Sequence, residues 1–214
     1  MAQPLLKVDQ LTKQYTRGVF HKQVTFSLAA DFTVEGPGVI GVMGPNGSGK
    51  TTLFELITGG NTPTEGRVLV NGQDIHNVRT RERDRLAIHY HQSYQVRHFQ
   101  RSKPDFLLQH ASSTSPLIHL FDEPQFNTQD GYIGFMLDFF KRLRGGGKLV
   151  FLCLHPNEPY HLDILRESCE RFIFVQKGVV TQAPDWDALC ADERVRSYLG
   201  ALAPARSSME AIAA

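Results

Sequence analysis

The chain has 214 residues, 41% hydrophobic and 21% charged, with a formal net charge of +1. That length suits one α/β domain with a real core, and the near-neutral balance argues against a protein that draws in nucleic acid or anionic lipid through a basic field. No apolar run approaches the ~18 residues needed to span a bilayer, MAQPLLKVDQ lacks the apolar core of a signal peptide, and Cys153, Cys169 and Cys190 show no metal or disulfide spacing, so reduced, mostly buried thiols in a cytosolic protein are expected.

Residues 5–34 contain the short extended segments LLKVDQLTKQY, QVTFSLA and DFTVEG. Their near-alternating Val, Phe and Thr predict an antiparallel β-layer. GVIGVMG is an apolar strand running into a glycine-rich turn, and KTTLFELITG follows with helical spacing. GRVLVNG reads as a strand closed by an Asn-Gly turn. RLAIHYHQ is a further strand, and the charged run upstream of it predicts a solvated helix. LIHLFDE and KLVFLCLH are continuous apolar runs, as expected for parallel strands covered on both faces. Between them, DGYIGFMLDFFKRLRGGG has a helical apolar stripe and a glycine stop. Its Tyr132, Phe135, Met136 and Phe139 have the look of a cofactor box, but a helix packed on the sheet explains the same spacing with less. RFIFVQKGVV predicts a closing hairpin and WDALCADERVRSYLGAL a terminal helix. PARSSMEAIAA is small and polar, a frayed tail.

One stretch decides the chemistry. GPNGSGKTT, that is Gly44, Pro45, Asn46, Gly47, Ser48, Gly49, Lys50, Thr51 and Thr52, matches the P-loop pattern G-x-x-x-x-G-K-[ST]. It follows a predicted strand and opens a predicted helix, the context the pattern requires. The glycines let backbone N–H groups turn inward around a β-phosphate, and the helix N-terminus adds positive potential. In such a loop the lysine reaches the β- and γ-phosphates and the hydroxyl after it ligates Mg²⁺; here these are Lys50 and Thr51. Downstream, Asp122 and Glu123 end the strand LIHLF. Carboxylates at the C-terminal end of a parallel strand stand where ligands bind. Asp122 suits a metal held through water, and Glu123 suits the orientation or deprotonation of an attacking water.

GPNGSGKTT, LIHLFDEP and the order of segments resemble the ATP-binding cassette (ABC) ATPases, over nearly the whole chain. The resemblance implies a P-loop NTPase of α/β class, with a parallel-sheet core and an N-terminal antiparallel β-layer. It implies a nucleotide-binding domain over residues 1–203 and a disordered tail over 204–214. It places Tyr15 where the family stacks an aromatic ring on adenine; a strand tyrosine packed in the β-layer is the competing reading. Gln92, 42 positions after Lys50, matches the family's Q-loop glutamine, which senses γ-phosphate and metal; Gln95 is a weaker substitute. His155, 32 positions after Glu123, resembles the switch histidine that contacts the γ-phosphate. The expected set is therefore Glu123, His155 and Gln92 for catalysis, Thr51, Gln92 and Asp122 for Mg²⁺, and Tyr15 with the P-loop for ATP.

The chain also departs from the family. A helical subdomain carrying the LSGGQ signature normally follows the Q-loop. Residues 93–121 contain no LSGGQ and no Gly-Gly pair, so the subdomain is expected to be reduced or absent, shortened across 93–116. Arg97, His98, Arg101 and Lys103 read as a solvated basic loop. The turn QFNTQD after Glu-Pro is one residue longer than the family's if Asp130 is its aspartate. In this family the signature of one subunit completes the ATP site of the other, through backbone N–H groups and a helix N-terminus. The resemblance therefore implies an ATP-binding and hydrolysing subunit of a transport complex. It would sit in the cytoplasm, against a membrane-embedded subunit, beside a second cassette that carries a signature; a homodimer is also possible. The alternative is a nucleotide-controlled regulatory or assembly module with marginal turnover. Nucleic acid is not expected as a partner, since no basic face or coiled-coil insertion stands out.

Overall fold

The computed structural model describes residues 3–18, 21, 23–91, 116–124 and 132–205, without the side chains of 132 and 133. The segment 93–116 that the sequence marks as shortened, the glutamines at 92 and 95, the basic positions 97, 98, 101 and 103, the turn 125–130 and most of the tail lie largely or wholly outside the described residues.

Among the described residues, ten strands form one sheet in the order β5-β4-β1-β2-β10-β9-β3-β8-β7-β6. The strands are β1 Leu6–Arg17, β2 Gln23–Val34, β3 Gly38–Met43, β4 Glu65–Val70, β5 Gln73–Asp74, β6 Ala87–Tyr90, β7 Ile118–Asp122, β8 Leu149–Cys153, β9 Arg171–Gln176 and β10 Val179–Ala183. One end is antiparallel: β1 pairs with both β2 and β4. The other end is parallel, with β9, β3, β8, β7 and β6 side by side. The expected β-layer and parallel core are thus two ends of one continuous sheet. QVTFSLA and DFTVEG, read as separate segments, form the single strand β2. Inward alternation runs unbroken through Ala30, the one residue between them, with Leu28, Ala30, Phe32 and Val34 buried, so nothing breaks the strand.

Alternation does break in β1. Leu6, Val8 and Leu11 are the buried residues, and the extra residue is taken up by a bulge at Gln10, whose φ is 44°. The bulge returns Leu11 to the core face. The Asn-Gly turn after β4 forms as expected, with positive φ at both Asn71 and Gly72, the type I′ signature.

The helices are α1 Lys50–Ile57, α2 Thr80–Leu86, α3 Tyr132–Gly145, α4 Pro159–Ser168, α5 Trp186–Ala191 and α6 Glu193–Leu199. The terminal helix expected from WDALCADERVRSYLGAL is two helices. Asp192 ends the first in extended backbone and caps the second, accepting from Arg194 N–H at 2.8 Å; an N-cap aspartate satisfies an amide the helix itself cannot. Likewise RLAIHYHQ is strand only from Ala87, because the charged run 80–86 carries its helix through Leu86.

Two apolar cores form, one on each face of the sheet. α1 packs Leu53, Phe54, Leu56 and Ile57 against one face. α3 packs the other with Met136, Phe139, Phe140 and Leu143, positions spaced i, i+3, i+4 and i+7 on one helical stripe. Each such fully buried side chain contributes about 1.5–3 kcal/mol of transfer free energy. The cofactor-box reading of that helix is therefore unnecessary. β3, β7 and β8 are buried at every position, which is why they read as unbroken apolar runs. Phe121 stacks on Tyr90 with centroids 4.5 Å apart, and His119 lies fully buried with Nδ1 3.1 Å from the Tyr90 hydroxyl. Among the described residues no helix is long and apolar enough to cross a membrane. All three cysteines are free and buried.

Candidate functional site

β3, between β9 and β8 in the parallel half, delivers the chain to residue 44, and α1 leaves from Lys50. The loop between them must turn sharply beside β9. Gly44 has φ 151°, and a Cβ there would lie 2.0 Å from the Val175 carbonyl oxygen. No larger residue fits without moving that strand.

Lys50 is only 6% exposed. Its Nζ donates to the Gly44 carbonyl at 2.7 Å and to the Pro45 carbonyl at 3.0 Å. The ammonium is thus held under the loop by neutral acceptors and no carboxylate pairs with it in these contacts, so its charge remains available to an anion. The loop, α1 and Glu123 line a cavity of about 370 Å³, walled on its far side by Tyr15 and Phe26. Ser48 Oγ is buried and finds no hydrogen-bond partner among the described residues, an orphaned donor in the turn that a phosphate oxygen would satisfy.

β7 brings Asp122 to the same place. Thr51 Oγ1 donates to Asp122 Oδ2 at 2.9 Å, across 71 residues of sequence. A hydroxyl oxygen and a carboxylate oxygen converging here are the donor types a hard cation such as Mg²⁺ takes. Burial alone would raise the Asp122 carboxyl; the His89 imidazole beside it and the Thr51 hydroxyl hold it below the usual carboxylate range. Burial, and then the Asp122 charge, push the neighbouring Cys153 thiol well up. Glu123 follows with φ 48°; its N–H donates to the Cys153 carbonyl at 3.0 Å, and its side chain faces the cavity.

Tyr15 stands on the cavity wall with 37% of its surface exposed, so it is not packed into the β-layer core. Its hydroxyl accepts from Asn61 Nδ2 at 2.8 Å. Its register partner on β2 is Phe26, with ring centroids 6.2 Å apart. Phe26 is a second aromatic wall that the sequence reading passed over; its alternation with buried Leu28 was the available signal. His155 follows β8 and lies outside the cavity lining. Its Nδ1 is 2.9 Å from the Tyr198 hydroxyl on α6, a partner with no local sequence signal. Gln92 lies outside the described residues, but the preceding His89 and His91 bracket the site from β6 and its end, and the His-x-His spacing on a predicted strand was the sign of them. His89 Nε2 is 3.4 Å from Asp122 Oδ2. Burial, and then the His89 charge, lower the His91 pKa.

Known proteins resemble the chain in sequence around the P-loop and in fold. Residues 29–106 match the family model described as ABC transporter. The lipoprotein-releasing system ATP-binding protein LolD of Psychrobacter arcticus is 38% identical over 79 residues, 37% of this chain and 34% of that protein. The energy-dependent translational throttle protein EttA of Mycobacterium tuberculosis is 44% identical over 66 residues, 31% of this chain and 11% of that protein. Over the full fold, a solved ATP-binding subunit of an ABC transporter superposes with a TM-score of 0.63 at 17% identity, covering 97% of this chain and 98% of that one.

The chain carries the ATP-binding-cassette fold. The resemblance to ABC-type ATPases holds in sequence across the P-loop and in architecture across most of the chain. In sequence, this cassette matches only 21% to 23% of the length of the first curated relatives.

Proposed function

We propose that the chain binds Mg-ATP at the cavity over the P-loop and hydrolyses it as the ATPase subunit of an ABC-type transport complex. The observation that carries this reading is the buried Lys50 beneath the loop, next to the 2.9 Å contact between Thr51 and Asp122. A loop of this shape has its amides and one ammonium aimed at the space a phosphate chain would fill.

The roles follow from position. Lys50 and the backbone N–H groups that follow Pro45 in the loop bind the phosphates. Tyr15 and Phe26 offer flat faces to the base. Thr51 and Asp122 are the groups that would hold Mg²⁺, with Gln92 the expected third. Bound Mg²⁺ supplies neutralisation of charge on the β- and γ-phosphate oxygens. Glu123 faces the cavity as the group that orients the attacking water and takes its proton. His155, fixed by Tyr198, serves as the donor toward the terminal phosphate.

The absent LSGGQ leaves the opposite side of the site without its usual anion-binding half. A partner cassette with a signature would supply it, and a membrane-embedded subunit would take up the work. The same absence favours a second reading, a nucleotide-controlled assembly module with marginal turnover. Phosphate release from Mg-ATP, measured over a range of protein concentrations beside Glu123→Gln, separates them. Turnover that vanishes in the variant and rises faster than linearly with concentration means self-association suffices, and the need for a signature-bearing partner is wrong. Tight binding without turnover at any concentration, reversed on adding a signature-bearing cassette, supports the partner. Binding without turnover in both settings favours the assembly module.

A further inference from the structure

β6 presents two imidazoles on one face. Alternation sends Tyr90 to the opposite face, where it stacks on Phe121. In the parallel register Tyr90 lies beside Phe121. The next residues, His91 and Asp122, therefore come level on the face that also carries His89. His89 packs edge-on against Phe54 of α1 at 5.4 Å, and its ring centroid is 3.6 Å from that of His91. One ligand atom from each of His89, His91 and Asp122 lies within 4.8 Å of the other two, the one such group among the described residues.

The His89 side chain is 6% exposed, and its Nε2 is buried without a hydrogen-bond partner. It lies 3.4 Å from the Asp122 carboxylate, close but not aligned for a hydrogen bond. A buried nitrogen left over in this way calls for an explanation. Packing of the His89 ring against Phe54 and His91 accounts for the stacking but not for the unsatisfied nitrogen turned toward a carboxylate.

We propose that His89, His91 and Asp122 form a binding site for a divalent transition metal of the zinc class. Two imidazole nitrogens and one carboxylate oxygen select zinc, nickel, cobalt or copper over the oxygen-seeking Mg²⁺. Three protein ligands leave a further position open, and exposed His91 places that opening at the solvent side. Metal–ligand bonds of about 2.0–2.2 Å require the donors to draw together by less than about 1 Å. Exposed His91 is free to make that movement at the end of its strand. The site shares Asp122 with the nucleotide reading but needs no nucleotide.

The test uses the full chain without nucleotide. Zn²⁺ is titrated by calorimetry, and Co²⁺ by visible absorption, whose band positions and intensities report nitrogen ligation and coordination number. One equivalent is expected. His91→Ala and His89→Gln should each weaken it by on the order of tenfold or more, with circular dichroism confirming that each variant folds. Weak binding at several sites, or a single site undiminished in both variants, would overturn the proposal, because zinc would then be held by other histidines. Binding of a fluorescent ATP analogue with Mg²⁺ is measured on the same samples. Its loss beside an intact zinc site would sink the nucleotide reading alone.

Discussion

The Tyr198 hydroxyl lies 2.9 Å from His155 Nδ1, joining the C-terminal helix α6 to the end of β8. Burial, and then the nearby Cys153 and Glu123 charges, raise the Tyr198 phenol far above its ordinary value, while the Gly44 backbone lies beside its oxygen. The phenol therefore stays neutral. The contact with that hydroxyl fixes the orientation of the His155 ring at the end of β8. Tyr198 acts here as a positioning residue.

Tyr198→Phe removes that hydrogen bond and keeps the ring that packs on Phe174. The expected result is a fall in kcat of roughly fivefold, the equivalent of about 1 kcal/mol for one hydrogen bond, with KM for Mg-ATP unchanged. Steady-state phosphate release measures both. A change in KM with kcat intact would mean that the contact only holds α6 in place.

Glu123 occupies positive φ at 48°, a conformation that costs a side chain of this kind about 1–2 kcal/mol. Asparagine tolerates that region better. Glu123→Asn is expected to raise the thermal midpoint by about 2–4 °C while abolishing turnover. Scanning calorimetry beside phosphate release reads the two together. A lower midpoint would show that the carboxylate itself stabilises the turn.

Gly178, between β9 and β10, links three parts of the molecule. Its N–H donates to the Ser48 carbonyl in the P-loop at 3.0 Å, and its own carbonyl accepts from Ala29 N–H at 2.7 Å. Its φ is 77°, and a Cβ there would lie 1.7 Å from the Ser27 carbonyl oxygen. Gly178→Ala must displace the hairpin or β2. We expect a loss of about 3 kcal/mol or more in urea unfolding, with weaker nucleotide binding because Ser48 loses its support. An unchanged urea midpoint would show that the hairpin yields freely.

The thiols give a pH and labelling prediction. Burial, and then the Asp187 charge, push Cys190 up to about 11 from an ordinary 9.0, and burial raises Cys169 further. All three thiols should resist a disulfide reagent at neutral pH until denaturant is added, since the thiolate is the reactive form. A folded-state pKa above the unfolded value adds stability that is complete below the unfolded value. That stability is lost as pH rises from about 9 through about 11 for Cys190. Urea midpoints measured across that window should decline, and less so in Cys190→Ala than in the parent chain.

The P-loop, the paired carboxylates and the buried strands were legible in the sequence because each is local. GPNGSGKTT needs only a strand before it and a helix after it, and an unbroken apolar run such as LVFLC needs only cover on both faces. The bulge at Gln10 was not legible, since it depends on the strands that β1 meets; the break at Asp192 comes from a local cap that the continuous helical spacing masks.

By itself the sequence determined the class of fold, the phosphate-binding loop and the residue types beside it, because short-range spacing dictates backbone turns and burial. Only the tertiary structure decided which distant groups meet there. The Thr51–Asp122 contact spans 71 positions, Tyr198 reaches His155 across 43, and the register of β6 on β7 sets His91 level with Asp122. No periodicity encodes such pairings. They arise from the order and direction of strands in the sheet, which the packing of α1 on one face and α3 on the other selects as a whole.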